Sequence, residues 1–390
     1  MFKSIQICIL LVIEISFLGC SSTKLTFNLN EIENSRVLRN AAFYLKEKPI
    51  TVTSSFCERS AGTLHDFYSE GDYWWPDPAH PDGPYIRKDG MTNPDNFIVH
   101  REAMIRFSQI SGALGSAYIL THDQKYADQL VLHLKAWFIN EDTKMNPNLL
   151  YAQAIKGIAT GRGIGIIDTI HLIEVAKAIQ AIQNSNALSK SDLTTIKLWF
   201  SNYLNWLTTH EYGIAERDNG NNHSVCWALQ VAAFADLTND TVVMDFCRNF
   251  FKNTLLPNQM AKDGSFPLEL KRTKPYGYSL FTIDAMASIC QILSTKEDNL
   301  FLYSTKDGRN MALGLAFIAP YISNKSLWPY TKDVMYWDEW PVRQSSLLFG
   351  GLAWHIKKYT DLWQSLNADF TNPEVIRNMP VRYPLLWVNN

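Results

Sequence analysis

The chain has 390 residues, 46% apolar and 19% charged, which is enough hydrophobic material for a sizeable core and excludes wholesale disorder. Its formal charge of −2 excludes a global field able to gather a polyanion such as nucleic acid, so an acidic ligand would have to be held by local cations in a cleft. Aromatic residues make up 13%, which suits a packed core and sugar-stacking platforms alike.

From the N-terminus, Lys3 and the apolar run 7–18, interrupted by Glu14 and Ser16, read as an export signal. Phe17-Leu18-Gly19-Cys20 resembles a bacterial lipoprotein cleavage box with Cys20 as the lipidated residue; an ordinary signal peptide cut nearby is the alternative. No other run of about 18 apolar residues occurs, so a membrane would be met only through that anchor. Residues 21–30 then read as a tether. Residues 31–390 read as one domain of an exported monomer, periplasmic or held at the outer membrane.

Apolar residues fall at helical spacing over 100–121, 124–138, 165–184, 190–209, 222–237, 241–255, 278–293, 309–322 and 343–358. Some of these segments, such as 225–235 (VCWALQVAAFA), are apolar nearly all round and predict burial on most sides. Others, such as 190–209, keep a polar face. That alternation predicts an inner and an outer ring: an all-α (α/α) toroid, an incomplete barrel of about six to seven helical hairpins. Residues 264–270 and 382–388 read as extended, so strands should be few and short. Cys57, Cys226, Cys247 and Cys290 match no CxxC metal spacing and read as buried free thiols. Residues 57–99 break the helical rhythm with GDYWWPDPAHPDGPYIRKDGMTNPDNF. A loop this long inside a compact domain tends to be functional, and here it would cover the open end of the toroid.

Two segments concentrate chemistry. In Glu216-Arg217-Asp218-Asn219-Gly220-Asn221-Asn222-His223, an asparagine would cap the following buried helix and put His223 in its first turn. That helix end disfavours an imidazolium and favours a bound carboxylate, so the ring is expected to accept a proton. A lone histidine there would otherwise be a hydrogen-bonded core residue. In 269–281, an extended stretch is expected to turn through Pro275 and Gly277 into a helix starting near Tyr278. Arg272 and Lys274 beside Tyr276 and Tyr278 would stabilise a phenolate and lower its pKa. Arg272 has the planar fork that clamps a carboxylate. A basic surface turn with both tyrosines in the core is the plainer alternative.

Taken together, Asn222-His223, Arg272 and Tyr278 six positions later resemble the alginate lyase superfamily of α/α-toroid polysaccharide lyases. The nearer likeness is to polysaccharide lyase family 38 and the more distant one to family 5. Gly71-Asp72-Tyr73-Trp74-Trp75-Pro76-Asp77-Pro78 and Asp89-Gly90-Met91-Thr92-Asn93-Pro94 carry the same resemblance. It implies Tyr278 as the catalytic tyrosine and His223 as the second acid–base group. Arg272 and Asn222 would neutralise the substrate carboxylate, with Glu216, protonated, as a further neutraliser, unless Glu216 simply pairs with Arg217 or Arg272.

The implied reaction is β-elimination in a 1,4-linked polyuronate, either alginate, preferentially of mannuronate type, or glucuronan. Abstracting the C5 proton next to a carboxylate needs that charge neutralised, and the leaving O4 needs a proton. Where both atoms lie on one sugar face, as in mannuronate, a Tyr278 phenolate can serve both steps. Where they lie on opposite faces, as in guluronate, His223 would be the base and Tyr278 the acid. Tyr73, Trp74 and Trp75 are expected to stack on sugar rings, or else to pin the loop. His65, Arg87, Lys88, Arg162, Lys274 and Tyr276 are expected at flanking subsites. There is no HExxH, phosphate loop, GxSxG or calcium-loop spacing, and no metal or other cofactor is expected. The rival readings are a glycoside hydrolase on a similar toroid, drawing carboxylates from Asp72, Asp77 and Glu216, and a non-catalytic glycan-binding lipoprotein.

Overall fold

A computed structural model describes residues 27–388. The long helices are α1 (Leu29–Tyr44), α2 (Val99–Thr121), α3 (Gln124–Phe138), α4 (Leu172–Ile182) and α5 (Lys190–Thr209), then the short α6 (Glu211–Arg217), then α7 (Asn222–Thr238) and α8 (Thr241–Phe250). There follow two single turns, α9 (Leu256–Gln259) and α10 (Pro267–Leu270), and then α11 (Pro275–Leu293), α12 (Met311–Ser323), α13 (Ser345–Ala353), α14 (Lys357–Ser365) and α15 (Pro373–Arg377).

Helices α2, α4, α7, α11 and α13 pack each on the next to make an inner layer. Helices α1, α3, α5, α8, α12 and α14 lie against them as an outer layer. The architecture is therefore an α/α toroid, and residue chemistry explains the layering. The core of α7 is buried on every side, from Val225 to Ala235. In α5 only Ile196, Trp199, Phe200, Tyr203, Leu204 and Leu207 are buried, a single stripe at helical spacing. One continuous hydrophobic core runs from Leu29 to Trp387. Side-chain caps start two of the outer helices: Ser189 accepts from the Asp192 N–H on α5, and Asp240 from the Val243 N–H on α8.

Two small sheets interrupt the helices. β1 (Tyr68–Glu70) pairs in parallel with β4 (Tyr151–Ala154), while β2 (Trp74–Trp75) pairs antiparallel with β3 (Ile86–Arg87). They organise the long loop, which is therefore folded rather than structureless. Cys57, Cys226, Cys247 and Cys290 are buried free thiols. No described helix is long and apolar enough to cross a membrane.

Several boundaries differ from the sequence expectation. The helix expected over 165–184 is a 3-10 segment, Gly163–Thr169, followed by α4. Gly161 explains the tight approach there, since a Cβ at that position would sit 1.9 Å from the Leu150 carbonyl oxygen. The helix expected over 343–358 breaks after Ala353, where His355 takes a left-handed φ of 56°. Residues 264–270 are not extended, because Pro267 opens the α10 turn, and 382–388 fold into a 3-10 turn at Pro384. The last residues of the expected 21–30 tether belong to α1, since Leu29 is helical and buried in the core. The export signal, Cys20 and most of that tether lie outside the described residues.

Candidate active site

An open cleft with about 1000 Å³ of empty volume, part of it open to solvent, lies where the N-termini of α7 and α11 meet the long loop and α15. Each wall has a local cause. Asn221 caps α7 by accepting the His223 N–H at 2.9 Å, and Gly220, at φ 87°, makes the turn before it. Gln259 ties down that turn by donating to the carbonyls of Gly220 and Asn221, both at 2.9 Å. Asn222 and His223 thus enter the cleft from the first turn of α7. Helix α11 starts three residues earlier than expected, with Pro275 at its first position and the Asp333 carboxylate accepting the N–H groups of Tyr276 and Gly277. Tyr278 and Phe281 then face the cleft one turn apart.

Tyr278 is the centre of the polar contacts. Its hydroxyl lies 2.8 Å from that of Tyr73 and 3.5 Å from a terminal nitrogen of Arg272, whose guanidinium sits 4.6 Å from the ring centroid. Arg272 is also held by Asp89 at 3.1 Å. Arg162, which also lines the cleft, donates to the Gln153 carbonyl at 2.8 Å and side-chain oxygen at 3.1 Å, and lies 5.8 Å from the Trp74 ring centroid. Burial lowers the Arg162 pKa to about 10, still cationic at neutral pH. Gln153 itself adopts a left-handed φ of 49°, a strained backbone state that places its side chain against Arg162 and Asp168.

The cleft is cationic although the chain is not. Arg87, Arg162, Arg272 and Arg377 line it, against the carboxylates Asp72 and Glu374. Both carboxylates are committed. Asp72 accepts from Arg101 at 2.6 Å and Arg377 at 2.5 Å, and Glu374 accepts from Lys274 at 2.9 Å. Burial alone would raise the Asp72 pKa, but the two arginines more than offset it and hold it at about 2.

Of the residues singled out in the sequence, Asn222, His223, Arg272, Tyr278, Tyr73, Trp74, Arg87 and Arg162 share this cleft. The others do not line it. Trp75 donates to the Met91 carbonyl with Lys88 4.9 Å from its ring centroid, so both brace the loop. His65 is bonded to the Lys144 carbonyl at 2.7 Å. Tyr276 is fully buried and donates to the Tyr321 carbonyl. Lys274 is buried between Glu374 and the rings of Tyr73 and Tyr336. Glu216 pairs with neither Arg217 nor Arg272. It is wholly buried, and its Oε1 lies 2.7 Å from His223 Nδ1, so it stands behind the histidine instead of facing the cleft.

The expected lowering of the Tyr278 pKa is also overturned. Burial, reinforced by Tyr73, pushes it well above 10 despite Lys274 and Arg272, so the resting group is a phenol. Arg377, Glu374, Asn378 and Gln153 also line the cleft and were not expected there from the sequence. The first three sit on or beside α15, about a hundred residues from Tyr278, with no motif around them.

A family model described as alginate lyase matches residues 51–328. Among solved structures, an alginate lyase from Bacteroides ovatus is 32% identical over 92% of this chain and 94% of that one, with a TM-score of 0.79. Alginate lyase A1-III from Sphingomonas species A1 is 14% identical over 91% of this chain and 95% of that one, at a TM-score of 0.55. A histidine-to-alanine variant of A1-III in complex with a tetrasaccharide gives 0.59 at 14% identity, over 91% and 94% of the two chains. These last two speak for the fold alone. No curated protein sequence matches. The family model matches most of the chain and the Bacteroides enzyme nearly all of it, so the chain belongs to the alginate lyase family.

Proposed function

We propose that this polysaccharide lyase cleaves alginate by β-elimination, with His223 as base, Tyr278 as acid, and Arg272 and Asn222 neutralising the carboxylate of the reacting uronate. The observation that carries this reading is the convergence of His223, Arg272 and Tyr278 on one cleft lined by four arginines. His223 takes the C5 proton on Nε2, and the C5–H electron pair becomes the C4=C5 double bond. The C4–O4 bond breaks, and O4 leaves with the Tyr278 proton. No water is consumed, and exchange with solvent then takes the proton from His223 and restores one to Tyr278. Each donor aimed at the carboxylate stabilises charge that grows only in the transition state, at about 3 kcal/mol per donor.

Resting protonation bears on substrate preference. The mannuronate-type preference expected from the sequence relies on a Tyr278 phenolate, and burial opposes one. A phenol at Tyr278 and a base at His223 suit the opposite-face geometry of guluronate units. Mannuronate units would require Tyr278 to lose its proton first. Glucuronan is the further polymer to compare. The hydrolase alternative is disfavoured because Asp72 is held by two arginines, Glu216 lies behind His223, and Asp77 lies outside the cleft bonded to His80. Lipidation at Cys20 and export belong to the same proposal, checked by fatty-acid labelling that Cys20→Ala should abolish.

The test is absorbance of the unsaturated uronate during incubation with alginate, glucuronan and neutral glycans, chelator present. Rising absorbance on alginate is expected. New reducing ends without absorbance would mean hydrolysis, and binding with neither would mean a non-catalytic protein.

A further inference from the structure

We propose that Glu216 and Glu269 are positioning residues that grip His223 and Asn222 from behind and aim them into the cleft. The proposal rests on the lyase reading above and extends it to two side chains that do not line the cleft. Both carboxylates are fully buried, and they come from different segments, Glu216 from α6 and Glu269 from α10. They meet the first turn of α7 at its first two residues.

Their contacts are specific to atom. Glu216 Oε1 lies 2.7 Å from His223 Nδ1. A carboxylate only accepts, so the ring proton is fixed on Nδ1 and the Nε2 lone pair is left for the cleft. When Nε2 gains the C5 proton, the same carboxylate faces the new imidazolium charge. Glu269 takes the Asn222 backbone N–H on Oε1 at 2.8 Å and the side-chain Nδ2 on Oε2 at 2.9 Å. That two-point grip fixes which end of the amide is nitrogen. It leaves the second Nδ2 hydrogen as the donor for a substrate carboxylate.

A purely structural account leaves these acids unexplained. Burial raises the pKa of both, which is the signature of charge kept in the interior at a cost to stability. Apolar residues of the same size would fill the space more favourably. Glu216 Oε2 has no partner among the described residues, so this carboxyl is not there to complete a network. What the two acids share is the neighbour each orients. Glu216 thereby takes the part that an acid plays behind a catalytic histidine elsewhere, and the neutralising role expected for it from the sequence is not needed.

The experiment uses the full chain and the variants Glu216→Gln, Glu216→Asp and Glu269→Gln. Nitrogen NMR of the His223 ring in resting wild-type protein should show the proton on Nδ1, and Glu216→Gln should lose that single tautomer. This readout needs no turnover, so it stands even if the lyase reading fails. On alginate, Glu216→Gln should lower kcat by about 10²–10⁴, the size of losing tautomer control, with KM nearly unchanged. Glu216→Asp should fall between the two and covers the case in which the Gln variant does not fold. Glu269→Gln should lower kcat about tenfold, and should add nothing in an Asn222→Ala background, because a positioning residue acts only through what it positions. A wild-type ring protonated on Nε2, a loss confined to KM, or full additivity of Glu269→Gln with Asn222→Ala would each overturn the proposal.

Discussion

Asp284 offers a stability measurement with a sign set by the fold. It lies in the middle of α11 with its carboxyl buried against the start of α13, accepting the N–H groups of Ser345 at 3.2 Å and Ser346 at 3.0 Å. Burial outweighs those bonds and raises its pKa from 3.8 to about 7. Well below pH 3.8 the group is protonated in folded and unfolded chains alike, and it contributes no penalty. As pH rises, the unfolded chain releases the proton first. The folded state therefore loses stability up to about pH 7, where the full difference is reached. A gap of about three pH units at 1.36 kcal/mol each makes that loss about 4 kcal/mol. Asp284→Asn keeps the shape, resembles the protonated acid, and cannot ionise. The variant should come within about 0.6 kcal/mol of wild type near pH 4 and exceed it by up to about 4 kcal/mol at pH 8. Urea unfolding from pH 4.5 to 8, followed by tryptophan fluorescence, reads this as diverging midpoints. Parallel midpoints across that range would refute burial as the dominant influence on Asp284.

Tyr278→Phe removes the acid without disturbing the ring, so turnover should fall by about 10²–10⁴ while polymer affinity stays within a few-fold; calorimetry with alginate oligomers separates the two. Arg272→Lys keeps the charge but loses the fork, and kcat/KM should drop by about two to three decades, a loss that a mere counter-ion to Asp89 would not produce. Because burial raises the Tyr278 pKa, cleavage of mannuronate oligomers should still be climbing at alkaline pH after guluronate cleavage has levelled off. Superimposable pH profiles would contradict separate routes. Asp72→Asn breaks a buried contact with Arg101 and Arg377. Its folded pKa is depressed from 3.8 to about 2, so its stabilisation is present above 3.8 and lost as pH falls through 2. The variant should cost about 2–3 kcal/mol at pH 7 in urea unfolding, and a cost below about 1 kcal/mol would rule the contact out as a stabiliser.

What the sequence determined was whatever depends on neighbours along the chain. Helical periodicity located α2, α3, α5 and α7 closely, and the contrast between all-round apolar 225–235 and two-faced 190–209 implied an inner and an outer layer. The asparagine cap on α7 and the spacing of Arg272 and Tyr278 are local, so they were legible too. The start of α11 was not, because its capping acid is Asp333, far along the chain. Tertiary structure alone decided which polar residues face the cleft. Lys274 and Tyr276 sit beside Tyr278 in sequence yet point into the core, while Arg377 arrives from the C-terminal end to meet Asp72. It also decided protonation: a cationic sequence context argued for a phenolate, but desolvation depends on how much protein surrounds a group, and only the folded chain sets that.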